Sequence, residues 1–273
     1  MTNQTPPPAA DVSRRSALAL LGLAGVGAVA GFGVVALVSG DETSPSSSSA
    51  TGAGASTVEP SATADAPAVN TLGGAVDDLS LTPGETSGPF PADGSNGADV
   101  LHDSRALRSD IRTDLDGANE QAGTPLDLAV TVLDGATGER VAGAAVYVWH
   151  CNKDGEYSAY PSGSYLRGAQ PTDANGVARF TTVLPGRYPG RAFHVHFRVY
   201  SDTTFATELL TSQMAMDDAE IDALYADAGY DSALAADTDN AEDNVFADGV
   251  DHQMMVVAGD GASTLSATFV AVV

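Results

Sequence analysis

Residues 185–200, PGRYPGRAFHVHFRVY, decide how the rest of the chain is read. Phe193, Val195, Phe197 and Val199 alternate with His194, His196, Arg198 and Tyr200. A period of two is the pattern of a strand whose apolar set faces a core. The same alternation puts His194 and His196 side by side on the opposite face. Tyr188 stands upstream of them, close to a Pro-Gly turn, and Arg191 lies between. A phenol, a guanidinium and two imidazoles therefore gather in one short segment, in a chain that has 5 histidines in all.

Working outward, the flanking segments supply partners for such a strand. Residues 126–133 alternate cleanly, with Leu126, Leu128, Val130 and Val132 on one face and Asp127, Ala129 and Thr131 on the other. Asp134-Gly135 and Thr137-Gly138 then form a turn. Residues 144–150 are apolar on both faces and predict a central strand. Residues 177–183 follow the Asn175-Gly176 turn as another, and 254–257 and 265–273 close the set. One helix is expected, capped by Asp217 or Asp218, with Ile221, Leu224 and Tyr225 on one face and Gly229 at its end. Residues 231–248 are expected to be an acidic loop. Short strands, one helix and Gly-rich turns define an all-β sandwich.

The N-terminal third is different. Arg14-Arg15 precede a nearly uninterrupted apolar run over 17–38, the pattern of a twin-arginine (Tat) export signal. That run is long enough to cross a bilayer if it is retained, so residues 1–40 are expected to be either a Tat signal peptide or an uncleaved N-terminal membrane anchor. Residues 41–76 are Ser, Thr, Ala, Gly, Pro and acid, a composition that cannot bury a core and predicts a flexible linker. The folded domain is expected over 77–273, outside the cell or tethered to the outer face of its membrane. Twelve basic residues against 36 acidic ones leave a formal charge of -24, and Lys153 is the sole lysine. Such an excess argues against binding nucleic acid or an anionic membrane. It suits a halophilic protein, soluble where concentrated salt screens self-repulsion, better than a merely acidic secreted one. Cys151 is the single cysteine, which excludes an internal disulfide and a Cys-rich metal cluster. At the end of a strand it reads as a buried inert thiol rather than a nucleophile.

Residues 149–160, WHCNKDGEYSAY, carry the second piece of chemistry. Asp154-Gly155 make a turn and Tyr157 follows it, on a loop of the kind where function concentrates. Tyr157, Tyr188, His194 and His196 together would supply two phenolates and two imidazoles. A free phenol titrates near 10, and a hard trivalent cation lowers that until the phenolate ligates at neutral pH. Two anionic oxygens favour Fe(III) over Fe(II) or zinc. The competing reading is a pair of solvent-facing histidines on an edge strand. The two-histidine, one-carboxylate iron set lacks a comparably placed carboxylate.

Several ordered segments resemble the intradiol ring-cleavage dioxygenases. They are LTPGETSGPF at 81–90, RSDIR at 108–112, VAGAAVYVWHCNKDGEYSAY at 141–160, YLRGAQPTDANGVARFTTVLPGRYPGRAFHVHF at 165–197 and TSQM at 211–214. Weaker agreement continues through TDN at 238–240 and NVF at 244–246. The resemblance is to an exported branch related to protocatechuate and catechol dioxygenases. It implies a prealbumin-like β-sandwich holding a non-haem Fe(III), acting on a catechol-type substrate with O2. The ring would open between its hydroxylated carbons to a muconate-type dicarboxylate. By the same resemblance Tyr157 is the equatorial and Tyr188 the axial, displaceable tyrosinate, while His194 is the axial and His196 the equatorial histidine. Arg191 corresponds to an arginine over the substrate ring, and Gln213 to a glutamine on the oxygen side of the pocket. The iron and Arg191 suit an anionic substrate. Gly190 stands where relatives often carry a bulky aromatic residue, and Ala192-Phe193 replace a more usual Pro-containing pair. The resemblance does not include part of the helical N-terminal region that catechol dioxygenases use to dimerise, and so implies no oligomeric state. ERVAGAAV at 139–146 also resembles prealbumin-like adhesion and carbohydrate-binding modules, so the alternative is an exported binding module without catalysis.

Overall fold

The computed structural model describes residues 79–273, position 161 excepted. The signal or anchor expected over 1–40 and most of the linker expected over 41–76 and beyond lie outside the described residues. Two four-stranded sheets face each other. The first runs β4(Val177–Val183)-β1(Pro125–Leu133)-β8(Leu265–Val272)-β7(Val256–Ala258), with β1 and β8 parallel and the outer pairs antiparallel. The second is antiparallel throughout, in the order β3(Arg167–Pro171)-β2(Ala145–Trp149)-β5(Val195–Tyr200)-β6(Glu208–Met214).

The alternating apolar residues meet between the sheets. Leu126, Leu128, Val130 and Val132 of β1 pack with Val195, Phe197 and Val199 of β5 and with Leu265, Ala267 and Phe269 of β8. Phe197 and Phe269 sit edge to face at 5.2 Å. Each such fully buried side chain stabilises the fold by about 1.5–3 kcal/mol relative to exposure. The second sheet is buried on its other face too. β2 and β5 are buried at every position, and β5 is flanked by strands on both sides. This sets aside the edge-strand reading of the two histidines.

What covers that outer face is the arm ahead of β1. Glu85 N–H donates to Thr211 O, Ser212 Oγ to Pro83 O and Gln213 Nε2 to Thr86 O. Tyr147 Oη donates to Pro91 O at 2.9 Å. Arg167, fully buried, donates from Nη1 to Phe90 O and Pro91 O and from Nε and Nη2 to Ser158. Among the described residues this guanidinium has no carboxylate partner. Its donors are satisfied by oxygen dipoles instead, as a buried guanidinium requires.

The helices fix the approach to β5. In α1(Asp218–Ala228) the Asp217 carboxylate caps Ala219 and Glu220 N–H, and Gly229 ends the helix in the left-handed region at φ 69. Tyr225 Oη then donates to Pro185 O, and Tyr230 Oη to Leu184 O, both at 3.0 Å. A second helix, α2(Asp231–Ala236), follows at once, and a 3-10 turn spans Ser104–Ala106. The expectation of one helix and an acidic loop from 231 is corrected on this point. DSALAA is made mostly of good helix formers with an acid in the first turn, but is too short to show a periodic face. Strands β3 and β6 also escape the pattern. β3 carries Gly, Arg, Gln and Pro, and β6 buries Ser212, Gln213 and Met214 while Leu209 stays exposed.

Replacing Arg167 with Met strands several buried carbonyl acceptors, each costing about 1–3 kcal/mol when unpaired. Urea unfolding of Arg167→Met is expected to show a loss of about 3 kcal/mol or more, and Arg167→Lys is expected to recover only a minor part of it.

Candidate metal centre

The loop after β2 and the segment before β5 come together because Gly186 lacks a side chain. A Cβ there would stand 2.2 Å from Lys153 O. Gly186 N–H donates to Asn152 O at 3.0 Å. This backbone contact brings Tyr157 and Tyr188 to one place, with ring centroids 6.1 Å apart. His194 and His196 complete the group, their rings edge to face at 4.9 Å. Tyr157 lies 6.0 Å from His196, and Tyr188 lies 5.6 Å from His194.

The tautomer of His194 follows from its partners. Nδ1 lies 2.8 Å from Ala192 O, and a carbonyl only accepts, so Nδ1 carries the hydrogen. Nε2 then presents its lone pair to the cluster. Tyr157 Oη lies 3.0 Å from it, Tyr188 Oη 3.3 Å and Arg191 Nη1 3.4 Å. His196 is stacked on Trp149 at 5.0 Å with an interplanar angle of 2°, and pairs across β5 and β6 with Gln213. Its Nδ1 is buried with no hydrogen-bond partner. Burial, and then the Arg191 charge, push His194 down to about 3. Burial, then His194 and Arg191, hold His196 well below its ordinary value. Both imidazoles are therefore neutral with lone pairs available. Burial raises both phenols, Tyr157 the more strongly, and Arg191 opposes the shift at each.

This donor set fits a hard, highly charged cation. Two neutral imidazoles and two neutral phenols need no counter-charge, but the phenolates that a metal would draw on are favoured here only beside a cation that compensates them. Among the described residues no three His, Cys, Asp or Glu side chains are placed to hold a metal, so a metal at this cluster has to draw on the phenol oxygens. With Nδ1 of His196 buried and unpartnered, that ring is held by its stack on Trp149 rather than by a hydrogen bond at Nδ1.

Arg191 is held by a residue that sequence reasoning missed. Its Nε donates to both Asp243 oxygens at 2.8 and 3.0 Å, and its Nη2 donates to Gln213 Oε1. The Asp243 carboxylate is fully buried and also receives Ala192 N–H at 2.8 Å and Val245 N–H at 2.9 Å. Position 243 lies between the weakly matching segments 238–240 and 244–246, in an acid-rich stretch where one more Asp carries no pattern. Ala192 is explained by the same contact: proline there has no N–H to give Asp243. Gly190 has φ +86, which only glycine adopts without strain, and a Cβ there would meet open space. Gln213 is spent on both ends, on Arg191 and on Thr86 O at 2.8 Å. Of the predicted residues, Tyr157, Tyr188, His194, His196 and Arg191 converge, and Gln213 joins them through Arg191.

Two neighbours do not belong to the cluster. Cys151 is buried, donates to Gly186 O and has its thiol pushed up to about 12 by burial, so it is inert as expected. His150 uses Nδ1 on Cys151 O at 2.7 Å and Nε2 on Thr182 Oγ1 at 2.8 Å.

Comparison with known proteins shows the family and the fold. A family model described as Dioxygenase matches residues 100–257, more than half of the chain. The chain belongs to the intradiol ring-cleavage dioxygenase family. Chlorocatechol 1,2-dioxygenase of Pseudomonas putida is 35% identical over an alignment of 98 residues that covers 28% of this chain and 36% of that protein. The match thus spans about a third of the curated relative's length. The fold is shared with an intradiol ring-cleavage dioxygenase from Tetranychus urticae, with a TM-score of 0.58 and 23% identity over 71% of this chain and 94% of that one. A further dioxygenase crystal structure has a TM-score of 0.56 and 22% identity, over 70% and 93% of the two chains.

His150 gives a pH prediction that does not depend on a metal. Burial lowers its pKa to about 4 in the folded state, against about 6.5 unfolded. The unfolded chain binds the extra proton, so the contribution is complete above about pH 6.5 and is lost as pH falls towards 4. His150→Gln is expected to flatten the stability-pH curve in that window by on the order of 3 kcal/mol, measured by urea unfolding at a series of pH values.

Proposed function

We propose that this chain cleaves a catechol-type ring between its two hydroxylated carbons with O2, giving a muconate-type dicarboxylate. Tyr157, Tyr188, His194 and His196 would hold a non-haem Fe(III). The observation that carries this reading is the convergence of two phenol oxygens and a guanidinium on the free nitrogen of His194. Bound Fe(III) would act as a Lewis acid towards the catechol oxygens.

The residues divide the remaining work. Tyr157 is nearly buried, with Phe90 against its ring at 5.0 Å, and is suited to remain in place throughout. Tyr188 is only half-buried and sits beside Arg191, whose charge favours its phenolate. It is the phenol suited to move aside and accept a catechol proton. His196 is immobilised by the Trp149 stack and His194 by Ala192 O, so both imidazoles are set before substrate arrives. Arg191 presents Nη1 towards the cluster, placed to stabilise negative charge developing on the ring. Gln213 and Asp243 fix that guanidinium from two sides, as positioning residues. Export by the Tat route and adaptation to concentrated salt belong to the same reading. They rest on Arg14-Arg15, the apolar run over 17–38 and the charge of -24. Tat systems move folded proteins, which suits a domain loaded with its metal before export.

Iron-loaded protein is expected to show a broad visible tyrosinate-to-iron charge-transfer band that catechol shifts under anaerobic conditions. Tyr188→Phe is expected to retain iron and a weakened band while turnover falls by roughly 100-fold or more. A colourless protein after iron loading contradicts the assignment of the site. Unchanged turnover in Tyr188→Phe contradicts the role of Tyr188.

A further inference from the structure

The charges around the cluster bear on which catechols it accepts. Two guanidinium groups act on the four donor side chains, those of Arg191 and Arg167. Neither is free to receive a substrate anion. Arg167 is fully buried, and its donors are spent on Ser158, Phe90 O, Pro91 O and Tyr147. Arg191 is paired through Nε with a fully buried carboxylate and is tied through Nη2 to Gln213. What remains is Nη1, which is directed at His194 Nε2 and so at the reacting centre rather than at the periphery of a ring.

The other nearby charges are negative or matched. Glu85, half-buried on the arm, lies within electrostatic reach of Arg191, Asp243 and Asp248 and adds no positive charge. Arg198 is paired with Asp93 at 2.7 Å and with Glu208 at 3.2 Å. Lys153 is paired with Asp154 at 2.7 Å. Among the described residues, then, no cation near the cluster lacks a partner, and the whole chain carries -24.

We infer that Asp243 is a specificity-determining residue. By pairing with Arg191 it makes this site select catechols without an ionised substituent. The inference rests on the reading of the cluster as a catechol site. An anionic substituent would lose its hydration without gaining a matched cation, whereas an ester or alkyl group loses little. The local pairing, rather than the net charge, is the cause. Net charge acts over a Debye length that shrinks to about 3 Å at 1 M salt, and a buried pair is screened far less.

The test uses a nearly isosteric pair, 3,4-dihydroxybenzoate and its methyl ester, with catechol as reference. Binding to the iron-loaded protein is measured anaerobically by calorimetry, and kcat/KM is measured in air. The ester is expected to exceed the acid by at least tenfold in both, with most of the gap retained in 1 M NaCl. Asp243→Asn, which leaves the Arg191 charge unmatched, is expected to narrow the gap at least threefold in favour of the acid. Equal or better performance by the acid, or a gap that vanishes in salt, overturns the inference while the catechol site stands. Failure of all three compounds to bind overturns the catechol site and the inference with it. If Asp243→Asn does not fold, the comparison of acid and ester in the wild type and its salt dependence still decide.

Discussion

The hydrogen bond from His194 Nδ1 to the Ala192 carbonyl is the constraint on which the site depends. It fixes one tautomer, turns the ring and leaves Nε2 as the point to which Tyr157, Tyr188 and Arg191 are directed. The carbonyl is itself placed by the Ala192 N–H bond to Asp243, and Asp243 also clamps Arg191. One buried carboxylate therefore sets both the orientation of an imidazole and the position of the guanidinium beside it. Such supporting contacts are commonly as important to a metal site as the ligands.

The sandwich makes this possible by burying a sheet face that an isolated antiparallel sheet would leave wet. The arm from 82 to 93 lies across β2, β5 and β6, and its carbonyls are satisfied by Tyr147, Arg167, Ser212 and Gln213. Exclusion of water depresses the imidazoles and raises the phenols, so the bare cluster favours neutral groups. A cation of high charge reverses that preference. In such an environment phenolates at Tyr157 and Tyr188 would be stable only beside a cation of high charge, which supports the proposed Fe(III) reading.

Much of this was legible in the residues because period-two alternation is strong where one strand face meets a core. The strands at 126–133 and 177–183 were visible for that reason, as was the H-x-H strand. Asp217 and Gly229 marked α1 because capping needs particular side chains. β3 and β6 were hidden because what buries them is polar: Arg167 and Gly168 in one, Ser212 and Gln213 in the other. Tyr157, Tyr188, His194 and His196 stood out as unusual residue types at close spacing. Asp243 did not, since an aspartate among many carries no signal until the fold buries it. The two departures at Gly190 and Ala192 looked like changes in the pocket wall. The structure accounts for them first through the backbone, by a positive φ and an N–H donor.

The central claim is that a ring is opened between its hydroxylated carbons with O2 at the cluster of Tyr157, Tyr188, His194 and His196. The most direct measurement is turnover of catechol by the iron-loaded protein under 18O2, with mass analysis of the product. The account predicts a muconate-type diacid carrying label in both carboxyl groups. A semialdehyde from cleavage beside the hydroxylated carbons, or a diacid without label from O2, would contradict it.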